Sequence, residues 1–279
     1  MEKISLIIEG GGLRGFFSAG TLQCLLDHDI RIPYIIGVSS GSMNAVGYAV
    51  GDLSTFFQYA GSSQRAFIQW RNLQDIDRGI LDTGRFFNAA GGQFSQLCQA
   101  GVTMKLAATR AQDAQQLFFE KSQFKSSADL ALKLQASAAI PVLMPKTSVD
   151  GAVYVDGGII DSIPVGQALQ DGRTRHIIIT TRPSGYRKAP QAMEYFLRKW
   201  LKPYPELKDA MATRHIRYNR TMDQLATMEN AGAALVIRPL VNRLGRIEFD
   251  VEKFHATYED GYAITKERIE ELRAFIRTS

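Results

Sequence analysis

The segment GVSSG at residues 37–41 has the residue types of a nucleophilic turn. A short apolar run, 34–36, precedes it, and the residues from Ser42 onward favour a helix. A serine on a sharp strand-to-helix turn presents its hydroxyl at a helix N-terminus, where backbone N–H groups and the helix dipole favour developing negative charge. Side chains at Gly37 and Gly41 would collide with neighbouring elements. Ser39 is therefore the candidate nucleophile, although a non-catalytic Gly/Ser-rich turn would have the same composition.

A glycine loop, GGGLRG at 10–15, directly follows the apolar run 3–9. It could cradle the pyrophosphate of a dinucleotide, but that site expects an acidic residue at the end of the second strand. Here Asp27 and Asp29 precede that strand, which runs straight into Ser39. We favour an oxyanion hole, in which backbone N–H groups bind the oxygen of a substrate held at Ser39. Parallel strands end at one edge of a sheet, so the loop and Ser39 should be neighbours.

A carboxylate follows a third apolar run, because residues 152–155 (AVYV) lead into Asp156, Gly157 and Gly158. In isolation this pattern is typical of a strand and a turn. In the order Ser…Asp…His of an α/β-hydrolase, Ser39 and Asp156 could also be joined by a later histidine. His215 is the candidate, but it lies on an apolar stripe at helical spacing, which is typical of helix packing.

Strands and helices alternate up to about residue 181, which predicts an α/β fold with a mainly parallel sheet. We expect a core at 1–175 and a mostly helical C-terminal region at 176–279 that completes the sheet and packs on the core. The patterns predict a strand pair at 102–109 and 115–120, followed by a helix at 127–139. Further elements are predicted at 47–60 (helix), 165–170 (helix), 176–181 (strand), 191–201 and 206–230 (helices), 234–237 (strand) and 251–276 (helix).

The composition is that of a soluble globular protein: of 279 residues, 45% are hydrophobic and 22% are charged. The two cysteines fit a reducing compartment rather than a disulfide scaffold. There is no apolar run of membrane length and no signal-peptide pattern, so we expect a cytoplasmic protein. No Cys/His cluster suggests a metal.

Residues 182–220 form a basic, aromatic segment, with ten Lys or Arg against three acidic residues. Such a segment could contact an anionic lipid surface or a nucleic acid, or it could be an ordinary solvated helix face.

The ordered set GGGLRG, GVSSG and DGG (156–158) resembles the patatin-like phospholipase family. Two linking segments, Ser137–Pro141 and Ile163–Val165, resemble the family as well, and the resemblance covers about residues 4–170. It implies a three-layer α/β/α sandwich that hydrolyses acyl esters of lipids through an acyl-serine intermediate. No cofactor or metal is implied.

The resemblance also implies roles for single residues. Ser39 would be the nucleophile and Asp156 its base, in a dyad without histidine. The oxyanion loop Gly10–Gly15 would supply the N–H groups of Gly11 and Gly12, with Arg14 supporting the loop. Two positions depart from the family pattern: Ser40 stands where alanine or glycine is frequent, and Ser162 stands where asparagine is common.

Two other functions stay open at this point. One is a Ser-Asp-His esterase that uses His215, and the other is a non-catalytic nucleotide- or lipid-binding protein. If the substrate is a lipid, we expect the segment 182–220 to seat the protein reversibly on an anionic membrane, and we expect no nucleic-acid partner.

Overall fold

The computed structural model describes residues 3–54, 68–69, 72, 75–190, 195–245, 248 and 250–277. Across these residues, no helix combines the length and the apolar character that a membrane span requires.

One mixed eight-stranded sheet forms the centre of the molecule. Parallel pairings join β8, β7, β1, β2 and β3 in that order, whereas β4, β5 and β6 pair antiparallel at the β3 side. All five residues of β1 are buried, as expected for a strand covered by helices on both faces. The strands are β1 Ile4–Ile8, β2 Tyr34–Val38, β3 Thr103–Arg110, β4 Gln116–Glu120, β5 Thr147–Val149, β6 Ala152–Asp156, β7 Arg175–Ile179 and β8 Ala234–Ile237.

Helices cover both faces of this sheet, and alternate strand residues enter separate cores. Leu6 and Ile8 belong to one buried cluster and Ile7 to another. The expected three-layer α/β fold is thus confirmed, with antiparallel strands at one side of the parallel set. The helices are α1 Gly15–Asp27, α2 Ser40–Val50, α3 Gly84–Gly91, α4 Phe94–Gln99, α5 Ser127–Ala138, α6 Val165–Gln170, α7 Tyr195–Trp200, α8 Pro205–Asn230, α9 Val251–Glu267 and α10 Ile269–Arg277.

The structure differs from the predicted elements in three places. The helix after the nucleophilic turn ends at Val50, because Gly51 takes a left-handed conformation with φ 81°; residues 55–60 of the prediction lie outside the described residues. Helices α3 and α4 lie in a stretch where we predicted no element. The last helix is two helices, with a break at Arg268, whose guanidinium donates to Val236 O at 2.7 Å.

The C-terminal helix α9 docks closely on α1. A Cβ added at Gly20 would lie 1.9 Å from Tyr258 O, and one added at Gly261 would lie 2.1 Å from Phe17 O. Two glycines therefore let the helix backbones touch. The rings of Phe16 and Phe254 stack beside this crossing with centroids 5.0 Å apart.

Candidate active site

Strand β3 brings the candidate nucleophile and the candidate carboxylate together. Val38 at the end of β2 pairs with Ala107, and Asp156 at the end of β6 pairs with the next residue, Ala108. Because β2 runs parallel to β3 and β6 runs antiparallel to it, the C-terminal ends of β2 and β6 face each other along β3. Ser39 and Asp156 thus lie where strands β2 and β6 end and the backbone leaves the sheet.

Ser39 occupies a strained turn, with φ 55° and ψ −124°. The two flanking glycines make this turn possible. A Cβ at Gly37 would lie 2.5 Å from Ser42 Cα, and a Cβ at Gly41 would lie 2.3 Å from Ile8 O. Ser39 is 5% exposed, and α2 begins at the next residue, so its hydroxyl lies at a helix N-terminus.

A buried hydroxyl on α5, that of Ser137, holds the strained turn in place. Ser137 Oγ donates to Ala107 O at 2.6 Å, so it acts as acceptor for the Ser39 N–H at 3.1 Å and for the Ser42 hydroxyl at 2.7 Å. One side chain thereby ties the turn to β3. From the sequence, Ser137 was only part of a segment that resembles the patatin-like phospholipase family, and it had no predicted role.

The glycine loop packs directly on the turn. A Cβ at Gly10 would lie 2.8 Å from Ser39 Cβ, so a larger residue would displace the nucleophile. Gly12 is exposed with φ 56°, and nothing lies within 4 Å of its Cβ position. Gly15 begins α1, and its carbonyl accepts from Asn44 Nδ2 at 2.9 Å.

Ser40 occupies one of the N–H donors expected from this loop. Its Oγ accepts the Gly11 N–H at 2.9 Å, so the Gly11 donor expected for the oxyanion hole is occupied in this structure. Within the described part of the chain, the N–H groups of Gly12 and Ser40 have no hydrogen-bond acceptor. The donor after the nucleophile is the one that strand-turn-helix hydrolases use.

The Asp156 carboxylate is buried and held by its own turn. Its Oδ1 accepts the Gly158 N–H at 2.7 Å, and a Cβ at Gly157 would lie 2.4 Å from Ala107 O. Ser162 Oγ donates to Gly158 O at 3.1 Å, so the serine that replaces the family's asparagine binds this turn. Among the described residues, no hydrogen bond joins the Ser39 hydroxyl to the Asp156 carboxylate.

Two arginines of α8 hold the turn that follows Asp156. Arg214 Nε donates to Gly158 O at 2.6 Å. Arg217 donates through Nε to Ile160 O at 3.1 Å and through Nη2 to Ile159 O at 3.0 Å. These contacts connect the C-terminal region to the site. At the sequence level both arginines were only part of a basic segment.

A buried carboxylate, Glu9, links the glycine loop to α8. Glu9 Oε2 accepts from Thr181 N at 2.5 Å and from Thr181 Oγ1 at 3.1 Å, while Glu9 Oε1 accepts from Tyr218 Oη at 3.0 Å. Burial and the Glu9 carboxylate raise the pKa of Tyr218, so its hydroxyl remains a donor. The ends of β1 and β7 and the middle of α8 are fixed together.

The segment after β7 is tied to the same helix. Lys188 N donates to Asn219 Oδ1 at 2.8 Å, and Asn219 Nδ2 donates to Lys188 O at 3.1 Å. Arg187 Nη2 adds a 2.5 Å bond to Asp223. The Lys188 ammonium is half-buried, 4.1 Å from the centroid of the Tyr218 ring.

The basic segment 182–220 is therefore not one solvated face. Trp200, Tyr204 and Tyr218 are buried, and residues 191–194 lie outside the described residues. Membrane seating stays a prediction; Arg198, Lys199 and Lys202 of this segment are exposed.

The histidines do not complete a triad here. His215 is half-buried on α8 and makes no hydrogen bond to Ser39 or Asp156 among the described residues. His176 lies on β7, where its Nδ1 is 2.8 Å from Ser5 Oγ, and burial lowers its pKa to about 4. No group of three or more His, Cys, Asp or Glu within the described ranges is arranged to hold a metal.

Comparisons with known proteins identify the family of the chain and relatives of its fold. A model of the patatin-like phospholipase family matches residues 6–169, and a model of a domain of unknown function, DUF6363, matches residues 204–277. Lysophospholipase nte1 of Aspergillus oryzae is 25% identical over 98% of this chain and 18% of its own length. The uncharacterized protein YjjU of Escherichia coli is 27% identical over 71% of this chain and 57% of its own.

The chain thus spans less than two thirds of the length of these curated relatives. The crystal structure of VipD from Legionella pneumophila has a similar fold, with a TM-score of 0.53 and 13% identity. That likeness covers 97% of this chain and 67% of VipD.

Proposed function

The chain belongs to the patatin-like phospholipase family, and from that premise we propose that it is a serine hydrolase of lipid acyl esters. Ser39 is the nucleophile and Asp156 is the general base. The observation that carries the proposal is the strained Ser39 turn, placed by β3 opposite the end of the strand that bears Asp156. Strain of this kind persists where the surrounding structure holds a residue for a function.

The first half of the reaction transfers the acyl group to the protein. Asp156 takes the proton of the Ser39 hydroxyl as Oγ attacks the ester carbonyl carbon. The tetrahedral oxyanion forms at the N-terminus of α2, within reach of the unoccupied N–H groups of Gly12 and Ser40. Collapse breaks the bond to the alcohol oxygen, which leaves with the proton from Asp156, and acyl-Ser39 remains.

The second half hydrolyses the acyl-Ser39 ester. Asp156 accepts a proton from water as the water oxygen attacks the acyl carbon, and the proton returns to Ser39 Oγ when the fatty acid leaves. The Ser39–Asp156 hydrogen bond is absent before substrate binds, and catalytic hydrogen bonds are often long in the free state of an enzyme.

Lipid is the proposed substrate class because the family and the fungal relatives are named as phospholipases and lysophospholipases. Lysophospholipids are the members of this class that we expect the chain to cleave, since the nte1 alignment covers nearly the whole of it.

Labelling with a fluorophosphonate probe tests the proposal, together with release of fatty acid from a lysophospholipid. We expect Ser39→Ala to abolish both signals and Asp156→Asn to lower the rate of labelling by about 10³-fold or more. Asp161→Asn is the matched control, because this nearby carboxylate accepts the Ile163 N–H at 2.9 Å, a bond that an asparagine oxygen can keep, and its charge acts on Arg217. A folded wild-type protein that neither labels nor releases fatty acid would refute the proposal.

A further inference from the structure

Four basic side chains from three parts of the chain converge beside the proposed dyad. Arg14 belongs to the glycine loop, Arg182 and Lys188 follow β7, and Arg214 lies on α8. The positive charges of Arg214 and Arg14 lie close enough to Lys188 to lower its pKa. The charge of Arg182 likewise lowers the pKa of Arg14. All four are at most half-exposed, and among the described residues none of them is in a salt bridge.

The nearby acidic groups offset the charge of this cluster only in part, because four cationic side chains face the two carboxylates of Glu9 and Asp156. Glu9 is already bound to Thr181 and Tyr218, and Asp156 is bound to the Gly158 N–H. Arg14 Nε is buried and has no hydrogen-bond partner in the described part of the chain. Uncompensated buried donors of this kind are costly unless a ligand satisfies them.

Rings and backbone contacts hold the cationic groups in place. Arg182 lies over the Tyr186 ring at 4.4 Å and Lys188 over the Tyr218 ring at 4.1 Å, while the two rings meet edge to face at 5.9 Å. Arg214 Nη2 would be 3.3 Å from a Cβ at Gly158, next to the Asp156 turn. A preformed, aromatic-lined cluster of donors is suited to binding an anion.

We propose that Arg14, Arg182, Lys188 and Arg214 form a subsite for the phosphodiester of a phospholipid or lysophospholipid whose acyl ester lies at Ser39. The inference rests on the proposed function, because it uses the ester bound at Ser39 to fix where the phosphate lies. The match to a domain of unknown function covers residues 204–277, which include α8. Because Arg214 and Tyr218 lie on α8, the proposed subsite gives this region a role.

The pKa of Lys188 provides a second test of the subsite, through the pH dependence of binding. The pKa of Lys188 is lowered to about 7, chiefly by burial and next by the positive charge of Arg214, while the carboxylates of Glu9 and Asp156 act in the opposite direction. A bound phosphodiester would stabilise the ammonium and raise this pKa. A phosphodiester keeps one negative charge across this pH range, whereas Lys188 loses its charge, so binding should weaken as pH rises through about 7.

Binding measurements on Ser39→Ala protein test the subsite without any turnover. The ligands are a short-chain lysophosphatidylcholine that is monomeric in solution, and the monoacylglycerol with the same chain. We expect Lys188→Met or Arg182→Gln to weaken lysophosphatidylcholine binding by about tenfold or more, as loss of a charge-assisted contact does. Monoacylglycerol binding should change by less than about twofold, and the pH dependence should disappear in Lys188→Met.

Lys208→Met and Arg220→Gln are the matched controls, because both side chains are exposed on α8. They should leave both ligands unaffected. Equal weakening of the two ligands, or no weakening, overturns the subsite. Variants that weaken binding of the free fatty acid but not of lysophosphatidylcholine would instead assign the cluster to the carboxylate product. A failed labelling experiment on wild type would refute the hydrolase proposal and leave these binding results standing.

Discussion

Replacing Ser137 by alanine should destabilise the protein and slow its reaction, because one hydroxyl serves three buried groups. The substitution leaves the Ser39 N–H, the Ala107 carbonyl and the Ser42 hydroxyl without this partner. An unpaired buried polar group costs about 1–3 kcal/mol. The Ser42 hydroxyl can rotate, so two backbone groups set the cost, and alanine regains roughly 0.5 kcal/mol of helix propensity. We expect the free energy of unfolding to fall by about 2–5 kcal/mol.

Ser18→Ala is the matched control for this change. Ser18 is as fully buried as Ser137 and also lies in a helix, but its Oγ has no hydrogen-bond partner among the described residues. The same substitution should therefore be neutral or stabilising by up to about 1 kcal/mol. Urea unfolding of the two variants gives the comparison directly.

The activity of the Ser137 variant tests the second part of the reasoning. The turn at Ser39 should relax from its φ of 55° once its N–H is released, so kcat should fall with little change in KM. The reasoning is refuted if Ser137→Ala and Ser18→Ala unfold at the same urea concentration with the same slope.

Two further predictions concern the glycine loop and the sheet. Ser40→Ala should release the Gly11 N–H as a third donor to the oxyanion. We therefore expect a higher kcat in steady-state ester hydrolysis. A lower kcat with unchanged folding would mean that Ser40 is needed to hold the loop. His176 should make stability depend on pH, because its pKa falls from 6.5 to about 4 on folding. The unfolded state binds the proton first, so the free energy of unfolding should drop by about 3 kcal/mol between pH 6.5 and pH 4. His176→Gln should flatten this part of a denaturation series, and an unchanged slope would contradict the assignment.

Local patterns were enough to predict the parts of the site that depend on neighbours in sequence. The apolar run before Ser39, its flanking glycines and the apolar run before Asp156 each encode a strand and a sharp turn. Strand β8 at Ala234–Ile237 and helix α5 were also predicted from such patterns and are confirmed, and the side chain of Ser126 caps α5 by accepting the Asp129 N–H.

Contacts between distant segments could not be predicted in this way. Lys188 and Arg214 carry the same charge as exposed residues around them, and nothing in the local pattern shows that Arg214 reaches Gly158 O. Ser137 likewise gains its role from β3 and the turn at Ser39, which are remote in sequence.

The differences from the predicted elements have tertiary causes. No element was predicted around Gly91, but this residue lies in α3, where a Cβ would be 2.4 Å from Ser127 O. At the last residue of α3, this glycine allows α3 and α5 to approach each other closely. At the other end of the chain, the tether from Arg268 to β8 accompanies a break that the amphipathic pattern does not show.

The order of the site along the chain has a consequence for its synthesis. Ser39 follows the second strand, β2, whereas Asp156 emerges much later, and Arg214 and Arg217 follow with α8. Domains generally fold from the N-terminal end as they are made. A nascent chain thus carries its nucleophile long before it has the turn and the helix that support the base. The lipid-cleaving capacity that we propose would therefore arise only when α8 has been synthesised and packed.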